Sequence, residues 1–127
     1  MAIAVKRSNR KYTGGAYNKL RKKKKRDFGT DFFAVKIGEI KSKSVKTLGG
    51  NTKQKLRQID KVSVADPETG KAKLVKIITV KENRANPNYV RMNIMTKGAV
   101  VDTELGLVKI TSKPGQHGVM NGVLVKK

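Results

Sequence analysis

Arg21-Lys22-Lys23-Lys24-Lys25-Arg26 is an unbroken run of six cationic side chains, and no fold can bury it in a core or pack it against itself. It is the densest part of a wider excess, because the first 26 residues carry 11 bases and no acid. Residues 1–57 hold 18 Lys or Arg against 3 acids, and residues 58–127 hold 12 against 6. Over the whole chain, 30 bases face 9 acids, a net charge of +21 at pH 7. Self-repulsion at that density opposes compaction unless a polyanion neutralises it, so the charge points to nucleic acid. Residues 1–30 are read as an extended basic arm in which Gly14, Gly15 and Gly29 add backbone freedom. Residues 31–127 are read as a compact β domain.

That second assignment rests on a change of pattern at Phe32, after which β-branched residues, period-two alternation and closely spaced turn signals dominate. Phe33, Val35 and Ile37 alternate with Ala34 and Lys36. Residues 40–48 alternate with polar side chains on both faces, which suits an edge strand or one facing RNA. Gly49-Gly50-Asn51 follows as a turn in which both glycines can take positive φ. A mixed stretch over residues 54–64 leads to Asp66-Pro67-Glu68-Thr69-Gly70, a hairpin turn flanked by Val64 and Leu74. Residues 73–80 form the most apolar strand expected, and residues 89–95 a short helical turn. Thr103-Glu104-Leu105-Gly106 marks a second hairpin, and Pro114-Gly115-Gln116-His117-Gly118 a loop before a last strand. The fold expected is all-β: a small curved sheet or barrel of about six short strands, since closure removes exposed edges. At 127 residues the chain is long enough for one modest domain without staples.

Several function classes are poorly served by these residues. The chain has no cysteine and a single histidine, His117, in a glycine-flanked loop, so thiolate metal sites and nucleophilic cysteines are excluded. Asp66 and Glu68 share a turn whose chemistry accounts for them without a catalytic role. No catalytic residue, metal ligand, cofactor or small-molecule substrate is expected. Apolar runs are far shorter than the ~18 residues of a membrane span, and the five-residue apolar start is too short for a signal peptide. The expectation is a cytoplasmic protein with no membrane partner. Helix-turn-helix, zinc-finger, basic-zipper and RNA-recognition-motif signatures are missing, which favours structured or single-stranded RNA over duplex DNA. With 3 Tyr, 3 Phe and no Trp, phosphate and shape recognition should outweigh base stacking. Taken alone, the run at residues 21–26 also fits a solvated tail or a nuclear-localisation-like patch.

Specific strings carry a resemblance beyond composition. They are Arg7-Ser8 with Arg10-Lys11 and Thr13-Gly14-Gly15, the basic run followed by Phe28-Gly29, and Thr47-Leu48-Gly49-Gly50-Asn51 with Lys53, Lys55 and Leu56. The second half adds Val64-Ala65-Asp66-Pro67-Glu68-Thr69-Gly70-Lys71, Tyr89-Val90-Arg91, Thr96-Lys97-Gly98-Ala99 and Ser112-Lys113-Pro114-Gly115-Gln116. In this order they resemble the small-subunit ribosomal protein S8e family, in its short archaeal form, over nearly the full length. Ala2-Ile3-Ala4-Val5-Lys6 departs from the Trp- and Gln-containing opening the resemblance implies, and Asn86-Pro87-Asn88 differs in residue order.

The resemblance implies a structural component of the small ribosomal subunit, with its rRNA and neighbouring ribosomal proteins as partners. A free RNA-binding or chaperone-like basic protein is the alternative. The RNA-binding residues expected are Arg7, Arg10, Lys11, Arg21, Lys22, Lys23, Lys24, Lys25, Arg26, Gly49, Gly50, Asn51, Lys53, Lys55, Arg91, Lys97 and Lys113.

Overall fold

Short β-branched stretches separated by turn residues become nine strands among the described residues. A computed structural model describes residues 7–19, 21, 22, 24, 27–29 and 32–125. The chain divides between Phe32 and Phe33 into two units. In the N-terminal unit, Arg10 bridges antiparallel to Ala16, and the Tyr17 N–H donates to the Asn9 carbonyl at 3.0 Å.

The C-terminal unit contains β1 (Val35–Ile37), β2 (Lys41–Lys46), a 3-10 turn (Leu48–Gly50), β3 (Thr52–Ile59), β4 (Lys61–Ala65) and β5 (Ala72–Glu82). The helical turn α1 (Asn88–Arg91), β6 (Ile94–Met95), β7 (Val100–Thr103), β8 (Gly106–Ile110) and β9 (Asn121–Leu124) follow. Four strands form a sheet in the order β2-β3-β1-β6, and five close into a barrel in the order β4-β5-β7-β8-β9. Closure is made by parallel pairing of β4 with β9, from Ser63 opposite Asn121 to Ala65 opposite Val123.

Period-two alternation decides what enters the barrel. Val62, Val64, Val75, Ile77, Val80, Val101, Val108 and Ile110 are buried in one core that also takes Val35, Leu56 and Met95 from the sheet. The all-β expectation holds, and the turn chemistry explains two of the hairpins. Asp66 Oδ1 accepts the Glu68 N–H at 3.0 Å, and Asp66 Oδ2 accepts the Thr69 hydroxyl at 2.9 Å, which shapes the β4–β5 turn. Thr103 pairs with Gly106 across the β7–β8 turn.

Strands outnumber the six or so expected because residues 54–64 are not one element. The chain changes sheet at Asp60, whose carbonyl accepts the Ile77 N–H at 2.8 Å, so β3 and β4 belong to different sheets. Likewise the expected helical turn covers only Asn88–Arg91, and Ile94–Met95 pairs with β1 as a strand. The apolar run in β5 is not buried throughout either. Leu74 and Ile78 are 69% and 55% exposed, because alternation turns Leu74 outward and a bulge between Ile77 and Thr79 resets the phase so that Val80 points in.

Gly122 is the tightest point of closure. It lies opposite Ile110 on β8 and Val64 on β4, and an added Cβ would collide with Val108 Cγ1 and approach the Lys109 carbonyl oxygen to 3.0 Å. Gly122→Ala is therefore expected to cost about 1–3 kcal/mol through overpacking, read as a lower denaturant midpoint at unchanged slope for the full chain.

Candidate nucleic-acid interface

Residues 41–59 contain six bases and no acid, and the β2–β3 hairpin arranges them by alternation. The register sets Lys43 opposite Lys55 and Val45 opposite Lys53. Directly opposed residues have Cβ atoms about 4.5–5.5 Å apart, a spacing at which like charges repel. Arg57 continues the same face, and Lys41 stands at its base across a bulge between Lys41 and Ser42. None of these six bases forms an ion pair among the described residues.

An aromatic ring partly compensates. Lys55 Nζ lies 5.5 Å and Arg57 Cζ 4.9 Å from the centroid of Phe33, just before β1. Lys55 is only 8% exposed, so its contact with the ring is largely desolvated. The loop carrying Lys113 and His117 closes on the same strand. Leu56 donates its N–H to the Pro114 carbonyl at 3.1 Å, an added Cβ at Gly115 would meet the Phe33 carbonyl at 3.4 Å, and one at Gly118 would lie 3.1 Å from Gln54 Cβ. Lys113 is thereby held beside β3, and its carbonyl accepts the His117 N–H at 2.8 Å.

At the hairpin tip, Thr47 N–H and Thr47 Oγ1 both donate to the Asn51 carbonyl, at 2.7 and 3.0 Å. Gly49 and Gly50 have φ of 76° and 77°, as their sequence context implied. Leu48 stands out from this tip, 97% exposed. Lys53 and Lys55 thus share one face near Gly49, Gly50 and Asn51. Arg91, in the last turn of α1, and Lys97, between β6 and β7, are exposed beside β6, at the opposite edge of the sheet from β2.

Within the N-terminal unit the bases gather around one hairpin. Arg7 Cζ lies 4.0 Å and Lys11 Nζ 5.8 Å from the Tyr17 centroid, and Arg10 Nη1 donates to the Gly14 carbonyl at 3.0 Å. Arg21 donates twice to Asp27, at 2.6 and 3.1 Å, and that hydrogen-bonded pair, with its charge attraction, raises the Arg21 pKa further above its ordinary value. Asp27 also accepts the Lys24 N–H at 3.0 Å. Lys22 and Lys24 are exposed, and Lys23, Lys25 and Arg26 lie outside the described residues.

Sequence reasoning did not single out Lys41, Lys43, Arg57 or Phe33. The signal was present: bases at 41 and 43 and at 53, 55 and 57 recur every second residue, which on strands is one face.

A barrel joined to an acid-free cationic hairpin defines a small, strongly basic all-β protein. The profile of the family described as Ribosomal protein S8e matches residues 4–125. The small ribosomal subunit protein eS8 of Methanospirillum hungatei is 48% identical over 120 residues, spanning 94% of this chain and 96% of that protein. The protein of the same name from Methanobrevibacter smithii is 45% identical over 125 residues, 98% of this chain and all of its own length. That from Nanoarchaeum equitans is 47% identical over 120 residues, 94% of each chain. The chain belongs to the ribosomal protein S8e family.

At the hairpin tip, an added Cβ on Gly50 would meet nothing within 4 Å, so backbone conformation and not space requires glycine there. Gly50→Val is expected to cost at least about 1–2 kcal/mol of hairpin stability, the left-handed penalty of an L-residue, increased by β-branching. Hydrogen exchange of the β2 and β3 amides should accelerate while the barrel amides keep their protection.

Proposed function

We propose that this chain is a structural component of the small ribosomal subunit that binds and stabilises the subunit's rRNA, and that it has no catalytic activity. Its partners on this reading are that rRNA and neighbouring ribosomal proteins, and its place is the cytoplasmic ribosome. The observation that carries the reading is the directly opposed Lys43 and Lys55 on a hairpin with no acid. A free protein gains nothing from that pairing, whereas a phosphate backbone beside the exposed Lys43 offsets the repulsion and releases condensed counterions. Family membership supports the small-subunit setting.

The basic arm over residues 1–30 is a second docking element in this proposal, with Arg7, Arg10, Lys11 and the run at 21–26 as phosphate ligands. Lys53, Lys55, Lys113, Lys97, Arg91 and the turn at Gly49, Gly50 and Asn51 contact RNA from the β domain.

Lys43→Glu separates stability from binding. It replaces a like-charge pair by an opposite-charge pair, so the hairpin should gain about 0.2–1 kcal/mol while RNA affinity falls. If roughly 6–10 phosphates are neutralised, wild-type affinity for structured RNA should drop about 10³–10⁵-fold between 50 and 200 mM salt, and the variant's slope should be shallower by about 1. A variant that binds as tightly as wild type with the same salt slope would remove the hairpin from the interface. Deleting residues 1–30 should leave the unfolding midpoint of the remaining chain almost unchanged and flatten the salt slope more than Lys43→Glu does. Co-sedimentation with small-subunit particles after a high-salt wash tests the ribosomal setting, and its loss would favour a free RNA-binding protein.

A further inference from the structure

Tyr12 sits at the tip of the N-terminal hairpin with a relative exposure of 102%, and its ring makes no contact among the described residues. The turn beneath it is tightly built. Gly14 N–H donates to the Lys11 carbonyl at 3.0 Å, Lys11 N–H to the Gly15 carbonyl at 2.7 Å, and Gly14 takes a φ of 87°. Arg10 clips the turn from the side by its bond to the Gly14 carbonyl. Five residues on, Tyr17 is used quite differently, since Arg7 and Lys11 cover its ring. One tyrosine is thus an internal platform for cations, and the other is held outward on a braced turn just after Arg10 and Lys11.

An aromatic ring in that position has one favourable partner chemistry that its surroundings also select. Phosphates attracted to Arg10 and Lys11 bring a nucleic-acid strand to the tip, and an unpaired base offers a π face to the free ring. Because the turn is already closed, little further ordering is required on contact. We propose, resting on the rRNA-binding reading above, that Tyr12 is a base-stacking residue that takes an unpaired RNA base, adding a contact that the purely electrostatic arm lacks.

The test compares an oligoadenylate strand with an abasic strand of equal length, so that phosphate number is constant and only bases differ. Wild-type chain should prefer oligoadenylate, Tyr12→Ala should weaken that binding about 5- to 150-fold, and Tyr12→Phe should retain it. Affinity for the abasic strand and its salt slope should be the same in all three proteins. Since the chain has no tryptophan, Tyr12→Trp supplies a single indole reporter, expected to be quenched by oligoadenylate and unchanged by the abasic strand. Equal oligoadenylate affinities for wild type and Tyr12→Ala, or quenching by the abasic strand, would overturn the stacking role while leaving the electrostatic reading intact. Absence of salt-sensitive binding to either strand would overturn both.

Discussion

Parallel pairing of β4 with β9 is the constraint on which the C-terminal unit depends, because it joins residues 63–65 to residues 121–123 and leaves the barrel without a free edge. A chain with 3 Phe and no Trp has few large side chains to fill a wide interior, and its core is made chiefly of Val and Ile. Such a core fits a narrow barrel, where side chains from facing strands meet directly. Gly122 lets β8 and β9 approach at the point where any Cβ would strike Val108. Closure satisfies the backbone without help from the surface, and the surface side chains are released for charge.

How the acids are used shows the same division. Asp66 shapes a hairpin turn, Asp27 fastens the arm at Arg21 and Lys24, and Asp102 and Glu82 pair with Lys81 and Arg84 at 3.5 Å each. These carboxylates serve local backbone geometry or neighbouring bases. None is placed against the β2–β3 hairpin, where Lys43 faces Lys55, and the attraction of Phe33 is about 0.5–1 kcal/mol for the exposed Arg57 and larger for the buried Lys55. An aromatic ring holds two cations without neutralising them. Their positive charge is kept, which a glutamate in the same place would cancel.

Turn chemistry is local, and local features were legible in the sequence. Asp66 to Gly70, Thr103 to Gly106 and the paired glycines at 49 and 50 announce themselves because a few adjacent residues determine them. Parallel pairings of β1 with β3 and β4 with β9 join segments distant in sequence, and no adjacent pattern encodes them. The bulge that turns Val80 inward was hidden for a related reason: an apolar run reads the same whether or not its phase slips. The interface was half legible. Lys53 and Lys55 stand in a recognisable string, and the alternation of 41 with 43 and of 53 with 55 and 57 was legible, but only the hairpin register sets Lys43 across from Lys55.

On the rRNA-binding reading proposed above, the opposed lysines set the stability of this hairpin against its function. Fixing two ammonium-bearing side chains opposite each other raises the free energy of the free hairpin by a few tenths of a kcal/mol to about 1 kcal/mol. Part of the cost falls on β2, whose two faces are largely exposed. Repulsion of this kind disappears when a polyanion supplies the missing negative charge, so the same pair that loosens the free hairpin favours the bound one. The barrel closes without the hairpin, which joins it at Asp60, so on the proposed reading the hairpin stays under-neutralised until RNA supplies the negative charge.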